Sequence, residues 1–269
     1  MARAIGETAT LPGTAAGASQ QLGRAVAIPV LSLLALVALW QLLAWLAAEP
    51  RLMPPPAAVF ARMVAEARSG ALFSHLGITL VRVVASFVIA MAVGIAIGIL
   101  LGRVRFADAF GGPWLVFFLN LPALVTIVLS YIWIGLVETA AIFAVAINKI
   151  PNVAVTLREG ARALDPALAE MARVFNVPWP RRLRHVVLPQ LAPYVAAAAR
   201  SGLALIWKIV LVVELLGRPN GVGFQIATFF QFFDVAGILA YALAFVAVVQ
   251  TIEWGLLQPV ERRIARWRR

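Results

Sequence analysis

Long apolar stretches alternate with short polar ones along most of the chain, a pattern typical of helices that cross a membrane. Six stretches approach the roughly 20 apolar residues that a bilayer-spanning helix needs. The fourth of them is the shortest. The predicted spans are Ala25–Ala48, Leu76–Leu101, Trp114–Leu136, Thr139–Val155, Leu191–Leu216 and Val235–Leu257.

Composition excludes a soluble globular protein. Hydrophobic residues make up 62% of the 269 residues, charged residues make up 13%, and the mean hydropathy is +0.92. A soluble domain averages roughly 45–50% apolar and about 25% charged residues. We therefore predict an all-α integral membrane protein with about six transmembrane helices.

The basic residues are distributed unevenly among the predicted loops. Lys and Arg number 23 against 12 Asp and Glu, a net charge of +11. With the N-terminus inside, sixteen basic residues, Lys149 among them, fall on the inner side and four on the outer side. Since cytoplasmic loops carry the excess of Lys and Arg, both termini are predicted to be cytoplasmic. We expect residues 1–24 to form a disordered tail, 25–260 the membrane domain and 261–269 a basic tail.

Several kinds of chemistry are missing from the sequence. The chain has no cysteine, which excludes disulfides and thiolate metal sites, and its two histidines, His75 and His185, are far apart. It contains no G-x-x-x-x-G-K-[ST] phosphate loop, so no nucleotide site of that type is expected. No catalytic arrangement of side chains emerges. We predict that the chain is not an enzyme and needs no cofactor or metal.

The segment between the fourth and fifth spans, Asp165–Pro193, carries strong helix signals. Asp165 and Pro166 are typical of an N-cap followed by a first-turn proline. The helix is predicted to end near Phe175, because Asn176 tolerates the left-handed conformation that closes a helix. Pro180 is expected to begin a second short helix that carries Arg181, Arg182 and Arg184.

This loop resembles the EAA motif of bacterial binding-protein-dependent ABC importer permeases. The family pattern is Glu-Ala-Ala, three residues, Gly, nine residues, Ile, one residue, Leu-Pro. Here the spacing is kept, and the positions are Glu170-Met171-Ala172, Asn176, Val186 and Leu188-Pro189. Met171 is a mild departure. Asn176 replaces the glycine but preserves the left-handed turn.

The resemblance extends from about Leu52 to the C-terminus and is strongest to the nitrate/sulfonate/taurine-type branch. Three further segments fit that branch, while Thr126 departs from it because many relatives carry a second proline there. The segments are Trp133–Glu138, Gly221–Gly223 and Glu261–Arg263.

The resemblance implies a type I importer permease in a bacterial inner membrane. Two copies of such a chain form the pathway, two copies of a separate ABC ATPase subunit supply energy, and an external solute-binding protein delivers the solute. The loop, over residues 158–190, would be the coupling element, with the nearby arginines at its rim. Anionic lipid headgroups are an alternative partner for those arginines. The implied ATPase-docking residues are Glu170, Met171, Ala172, Arg173, Val174, Phe175 and Asn176.

Charged residues inside the fifth span point to a pathway. Arg200 and Lys208 are eight positions apart, about 80° around a helix, so they share a face. We predict that Lys208 favours an anionic solute. The alternative is that Lys208 and Arg200 snorkel to opposite headgroup regions. Glu214 is expected to cap the outer mouth or meet another span, and Arg82 to snorkel.

Two further stripes recur every four residues. Pro122, Thr126 and Ser130, with Asn120 nearby, form a kinked polar stripe in the third span. It either lines the pathway or bonds back to its own helix. Small residues in the second span, from Ser86 to Gly102, are predicted to pack closely against another helix.

Two other functions compete with an importer subunit. A self-contained, ion-coupled secondary transporter would need coupling carboxylates deep in the membrane, and the candidates all lie near predicted span ends. A structural or assembly protein would leave the polar third and fifth spans unexplained. The candidate carboxylates are Glu138, Glu214, Asp234 and Glu253.

Overall fold

The computed structural model describes residues 15–259, which form eleven α-helices and no strand. Residues 1–14 of the predicted N-terminal tail and the predicted basic tail 261–269 lie outside the described residues. The helices are α1 (Ala15–Ala47), α2 (Pro56–Arg68), α3 (Ala71–Arg103), α4 (Arg105–Asn120), α5 (Ala123–Ile134), α6 (Glu138–Arg162), α7 (Pro166–Val174), α8 (Trp179–Arg182), α9 (Leu188–Gly217), α10 (Val222–Gln231) and α11 (Val235–Ile252).

The chain divides into two units, and the first ends at Val59. Its main element is α1, which begins at Ala15, so residues 15–24, expected to be disordered, are helical. Leucines on several sides of α1 are exposed. A helix that is apolar all round suits a lipid environment. The indole of Trp40, in α1, donates a 3.1 Å hydrogen bond to the carbonyl of Pro54, which follows the helix.

The second unit, from Phe60 onward, is built around α3, α6 and α9. The small-residue stripe of α3 packs against α6, as predicted. A Cβ on Gly94 would lie 2.6 Å from Val153 Cβ, and one on Gly98 would lie 2.6 Å from the carbonyl oxygen of Ala154. Both distances are shorter than van der Waals contact, so the close approach of α3 and α6 depends on these glycines.

The third predicted span is not one helix. α4 and α5 meet at an angle of 97°. Pro122 causes the break, because proline pushes the preceding residue out of the helical region and Leu121 accordingly has an extended ψ of 122°. The predicted third span, Trp114–Leu136, therefore consists of two helices, and the bend between them is much sharper than the predicted kink. Within the described residues, five helices are long and apolar enough to cross a membrane, or six crossings if the bent pair is one span.

Two other boundaries differ from prediction. α6 continues to Arg162, seven residues beyond the predicted end of the fourth span. The predicted second short helix is not separate, because α8, a π-helical turn over Leu183–Val187 and α9 form one helix from Trp179 to Gly217. The ring of Pro189 would clash with the carbonyl of His185 in a regular helix. His185 lies inside the wider π turn, which relieves this conflict.

Candidate functional site

The loop between α6 and α9 folds into a short capped helix followed by a tight turn. The Asp165 carboxylate accepts a 2.8 Å hydrogen bond from the backbone N–H of Ala167, and Pro166 begins α7. Asn176 has a φ of +49°, the left-handed conformation predicted for this position. The Gln190 side chain accepts a 2.8 Å hydrogen bond from the Asp165 N–H. This bond fixes the start of α7 to the start of α9.

The tip of the loop exposes apolar side chains on the protein surface. Val174 and Phe175 are 76% and 74% exposed, and Trp179 is 65% exposed. Trp179 was not among the predicted docking residues, although its place after the Asn176 turn was a usable signal. Exposed aromatic and aliphatic side chains that adjoin one another are typical of a contact with another protein. We call this tip, formed by Val174, Phe175 and Trp179, the knob.

The other predicted docking residues differ in their exposure. Glu170, Met171, Arg173 and Asn176 are exposed beside the knob. Ala172, between them, is buried. A cavity of about 240 Å³ separates α7 from the ends of α3 and α9. Charged side chains line it, notably Arg103, Asp165, Glu170, Arg173 and Arg182.

Arg200 and Lys208 line the same cavity, as their shared helix face predicts. This cavity of about 390 Å³ lies between α9, α10 and α11, and its wall is mostly apolar. Trp207 and Phe245 stand edge to face on that wall, with ring centroids 5.6 Å apart. Glu253 also lines it. An apolar cleft with a few charged groups at its edge is typical of a binding site for a small organic molecule.

The hydroxyl groups of the polar stripe in the third span bond to carbonyls of their own helix. The Ser130 hydroxyl donates to the carbonyl of Thr126 at 2.7 Å, and the Thr126 hydroxyl donates to the carbonyl of Pro122 at 3.4 Å. Both residues are buried. Asn120 is exposed and donates to the carbonyl of Val116. These bonds favour the alternative in which the stripe satisfies its own helix.

Sequence reasoning missed a cluster of three charged residues, two of them buried, at the end of the bundle opposite the knob. Arg82 is only 2% exposed, so the prediction that it snorkels is wrong. Its guanidinium donates to Glu138 at 2.5 Å and to Glu214 at 2.7 Å. Glu214 therefore meets another span, one of its two predicted roles. We call this group of Arg82, Glu138 and Glu214 the charge cluster.

The loop after α9 completes the charge cluster. Glu214 also accepts hydrogen bonds from the Thr79 hydroxyl at 3.0 Å and the Gly223 N–H at 2.9 Å. Gly221 has a φ of +108°, and a Cβ there would lie 2.3 Å from the carboxyl carbon of Glu214. The paired glycines of Gly221-Val222-Gly223 thus allow the backbone to approach a buried carboxylate.

The sequence analysis was also wrong to count Lys149 among the basic residues of the inner loops. It lies within α6 and is 2% exposed, so it belongs to the membrane domain and not to the cytoplasmic basic residues. The signal was available, since Lys149 falls inside the predicted fourth span.

At the knob end, Asp108 of α4 pairs with Arg158 of α6 at 2.6 Å and with Arg162.

The sequence matches a known family model over much of its length. Residues 94–255 match the family described as binding-protein-dependent transport system inner membrane component. This range is more than half of the chain.

Individual relatives have related descriptions. The chain is 29% identical over 234 residues to a putative aliphatic sulfonates transport permease protein of Bacillus subtilis, covering 87% of this chain and 84% of that protein. It is 25% identical over 252 residues to the taurine transport system permease protein of Escherichia coli, covering 91% of each. It is 29% identical over 154 residues to a bicarbonate transport system permease protein of Synechococcus elongatus, covering 57% and 55%.

Solved structures share the fold at lower sequence identity. A crystal structure of an amino acid ABC transporter with histidines aligns with a TM-score of 0.60 and 21% identity, covering 74% of this chain and 97% of that one. An inward-facing methionine ABC transporter aligns with a TM-score of 0.57 and 17% identity, covering 70% and 92%.

Proposed function

Because the chain belongs to the family of binding-protein-dependent transport system inner membrane components, we propose that it is the permease subunit of an ATP-driven importer for a small organic anion. Two copies of the chain would form the pathway. A separate ATPase subunit would bind the knob, and an external binding protein would deliver the solute. In this arrangement the N- and C-termini lie in the cytoplasm, as the loop charges favour.

The exposed knob is the main support for the proposal that an ATPase subunit binds this chain. Its exposed Val174 and Phe175 follow a capped helix, and Trp179 begins the helix that leads directly into α9. Apolar side chains at the centre of a contact supply most of its affinity, while charges at the rim set its orientation and rate. Glu170 and Arg173 lie at this rim. An ATPase subunit bound to the knob would therefore be connected directly to a membrane-spanning helix.

A charge reversal at the rim tests the docking role. The Glu170→Arg variant adds a fourth cation beside Arg103, Arg173 and Arg182 around one cavity. A partner cation that faces Glu170 would then meet a like charge, which costs several kcal/mol, and about 1.4 kcal/mol is tenfold in affinity. We expect membrane insertion to be unchanged and the recovery of a phosphate-loop ATPase with affinity-tagged permease to fall about tenfold or more. Mass spectrometry of the purified complex measures this recovery.

A matched control separates this effect from charge reversal in general. Glu159 is also acidic and exposed, but it lies on α6, where it pairs with Arg162 at 3.2 Å. The Glu159→Arg variant is expected to recover the ATPase at the level of the unsubstituted chain. Equal recovery of the ATPase with both variants would contradict the docking role of α7.

The anionic solute is proposed from the cavity between α9, α10 and α11. Lys208 is a cation beside an apolar wall, which suits an acidic head attached to a short apolar tail. An ion pair at about 4 Å gains Coulomb energy, but desolvation of the two charges offsets most of it, so a net effect of about 1.4 kcal/mol is expected. Relatives described as permeases for aliphatic sulfonates and taurine support this choice of solute class.

Loss of the Lys208 charge tests the solute class. We expect the Lys208→Met variant to raise the KM for uptake of radiolabelled ethanesulfonate about tenfold, because the variant removes one ion pair of modest strength. The Lys208→Arg variant keeps the charge and should retain most of the uptake. Uptake is measured in cells that carry the complete transporter. An unchanged KM in Lys208→Met would mean that Lys208 only snorkels.

The structure gives no specific support to a self-contained secondary transporter. Glu214 is the most deeply buried of the candidate coupling carboxylates, and it accepts hydrogen bonds from Arg82, Thr79 and Gly223. These bonds tie Glu214 to α3 and α10, so its contacts are explained by its role in holding the helices together.

A further inference from the structure

Lys149 occupies a niche that a glycine creates. The side chain lies between α6 and α9, where a Cβ on Gly202 would be 3.0 Å from Lys149 Cε and 3.9 Å from Nζ. The same Cβ would lie 3.8 Å from the ring of Phe87 on α3. A larger residue in place of Gly202 would push against the lysine stem. The three central helices thus leave room for this one long side chain.

The niche offers Lys149 no polar partner. Among the residues that the structure describes, none forms a hydrogen bond or ion pair with it. By contrast, Arg82, which is equally buried, is bonded to two carboxylates. An ammonium group on a mostly buried side chain, with no acceptor in the protein, is costly unless it reaches water or an anion. This cost would be recovered if the side chain met an anion.

Lys149 lies at the edge of a polar face on α6. At about 100° per residue, Asn148, Asn152 and Thr156 fall with Lys149 inside a sector of roughly 100°. These three side chains are half-buried, so this face is open along part of its width. Polar residues inside a membrane domain usually face a water-filled cavity or another protein segment.

Part of the hydrogen-bonding capacity of this polar face is unused. Asn148 donates to the carbonyl of Ala144 and Thr156 donates to the carbonyl of Asn152. The Asn152 side-chain amide forms no hydrogen bond with a described residue. Its N–H groups are therefore available to an oxygen ligand one helical turn from Lys149.

We propose that the polar face of α6, formed by Asn148, Lys149, Asn152 and Thr156, is an anion-binding segment of the translocation pathway. Lys149 supplies its positive charge. The lysine stem has four rotatable carbons, so the amino group can swing from the Gly202 niche to the Asn152 side when an anion arrives. This assignment rests on the proposed function. It adds a second cationic position, on a different face of α9 from the Lys208 cavity, since Gly202 and Lys208 lie about 120° apart around α9.

A single thiol on the polar face tests the proposal. The chain has no cysteine, so the Asn152→Cys variant carries one reactive thiol in the full-length permease. Membrane vesicles are treated with two reagents of similar size, the anionic sulfonatoethyl methanethiosulfonate and the cationic trimethylammonioethyl methanethiosulfonate. The ratio of the two labelling rates reports the local charge and cancels differences in exposure.

We expect Lys149 to favour the anionic reagent. Adding Lys149→Met to the Asn152→Cys chain should lower the anionic-to-cationic rate ratio about fivefold or more, as for a lost charge at close range. Adding Lys149→Arg should preserve the ratio. Adding Arg105→Gln, which removes an exposed charge at the start of α4, should also leave the ratio unchanged. The proposal is overturned if Lys149→Met leaves the ratio unchanged, or if neither reagent labels Asn152→Cys.

This experiment is independent of the ATPase test. It requires neither an ATPase partner nor a known solute, because the reagents themselves are the probes. A chain with this anion site that is not an ATP-driven importer would show the Lys149 effect while recovering no ATPase. An importer whose pathway avoids α6 would show the Glu170 effect and no dependence of the ratio on Lys149.

Discussion

Arg82 and Glu214 show how a buried charge pair is tolerated in this membrane domain. Both side chains are almost fully buried, and both have several hydrogen-bond partners. The pair joins α3 to α9, while Glu138 joins the same arginine to α6. Removal of one member would leave an uncompensated charge, which costs about 3–5 kcal/mol.

The Arg82→Met variant is therefore expected to lower the stability of the purified permease by about 3 kcal/mol or more. Thermal unfolding in detergent, followed by tryptophan fluorescence, measures the change. Replacing both members, Arg82→Met with Glu214→Met, should recover part of the loss because no lone charge remains at Glu214.

An exposed arginine provides the control for this prediction. Arg62 pairs with Glu66 at 3.3 Å and with Asp234 at 3.4 Å, and its side chain is 41% exposed. Exposed pairs are worth about 0–1 kcal/mol. The Arg62→Met variant should therefore unfold at nearly the same temperature as the unsubstituted protein. An Arg82→Met variant as stable as Arg62→Met would refute the structural role assigned to the charge cluster.

Among the helices, the contact between α3 and α6 is set by small residues. A Cβ on Gly98 would lie 2.6 Å from the carbonyl oxygen of Ala154 and 2.7 Å from the Cβ of Leu157. Backbone and Cβ atoms cannot rotate away as the end of a long side chain can. The two helices would have to separate to admit even a methyl group.

We expect Gly98→Ala to destabilise the protein by about 1–3 kcal/mol, the usual cost of overpacking. Gly77, on the same helix, has no atom within 4 Å of its Cβ position. The Gly77→Ala variant should be neutral or gain up to about 1 kcal/mol from helix propensity. The unfolding temperatures of the two variants, compared with that of the unsubstituted protein, measure the two effects. Equal temperatures would show that the glycine contact is not tight.

Which helices could be predicted depended on how local their signals were. The start of α7 at Asp165 and Pro166 and the left-handed Asn176 follow from neighbouring residues, and both were predicted correctly. A kink at Pro122 was predicted, but a break as large as 97° was not. A proline signals a disturbance, but the size of the bend is set by what α4 and α5 pack against.

For the whole molecule, family and fold were accessible from the sequence because hydrophobic length and motif spacing determine them. The family match and the fold of the solved transporters confirm both. Partnerships between distant residues were not accessible. Arg82 and Glu214 are 132 positions apart, and sequence periodicity places each on its own helix without relating the two helices. The snorkelling prediction for Arg82 failed for that reason.

The unbroken helix from Trp179 to Gly217 has a mechanical consequence. Its 39 residues extend about 58 Å at about 1.5 Å per residue. In the proposed importer, an ATPase bound to the knob would act on this helix at Trp179, while Glu214 anchors its far end. A sideways displacement of Trp179 would then tilt the helix about Glu214, and the wide turn at Leu183–Val187 would absorb part of that displacement.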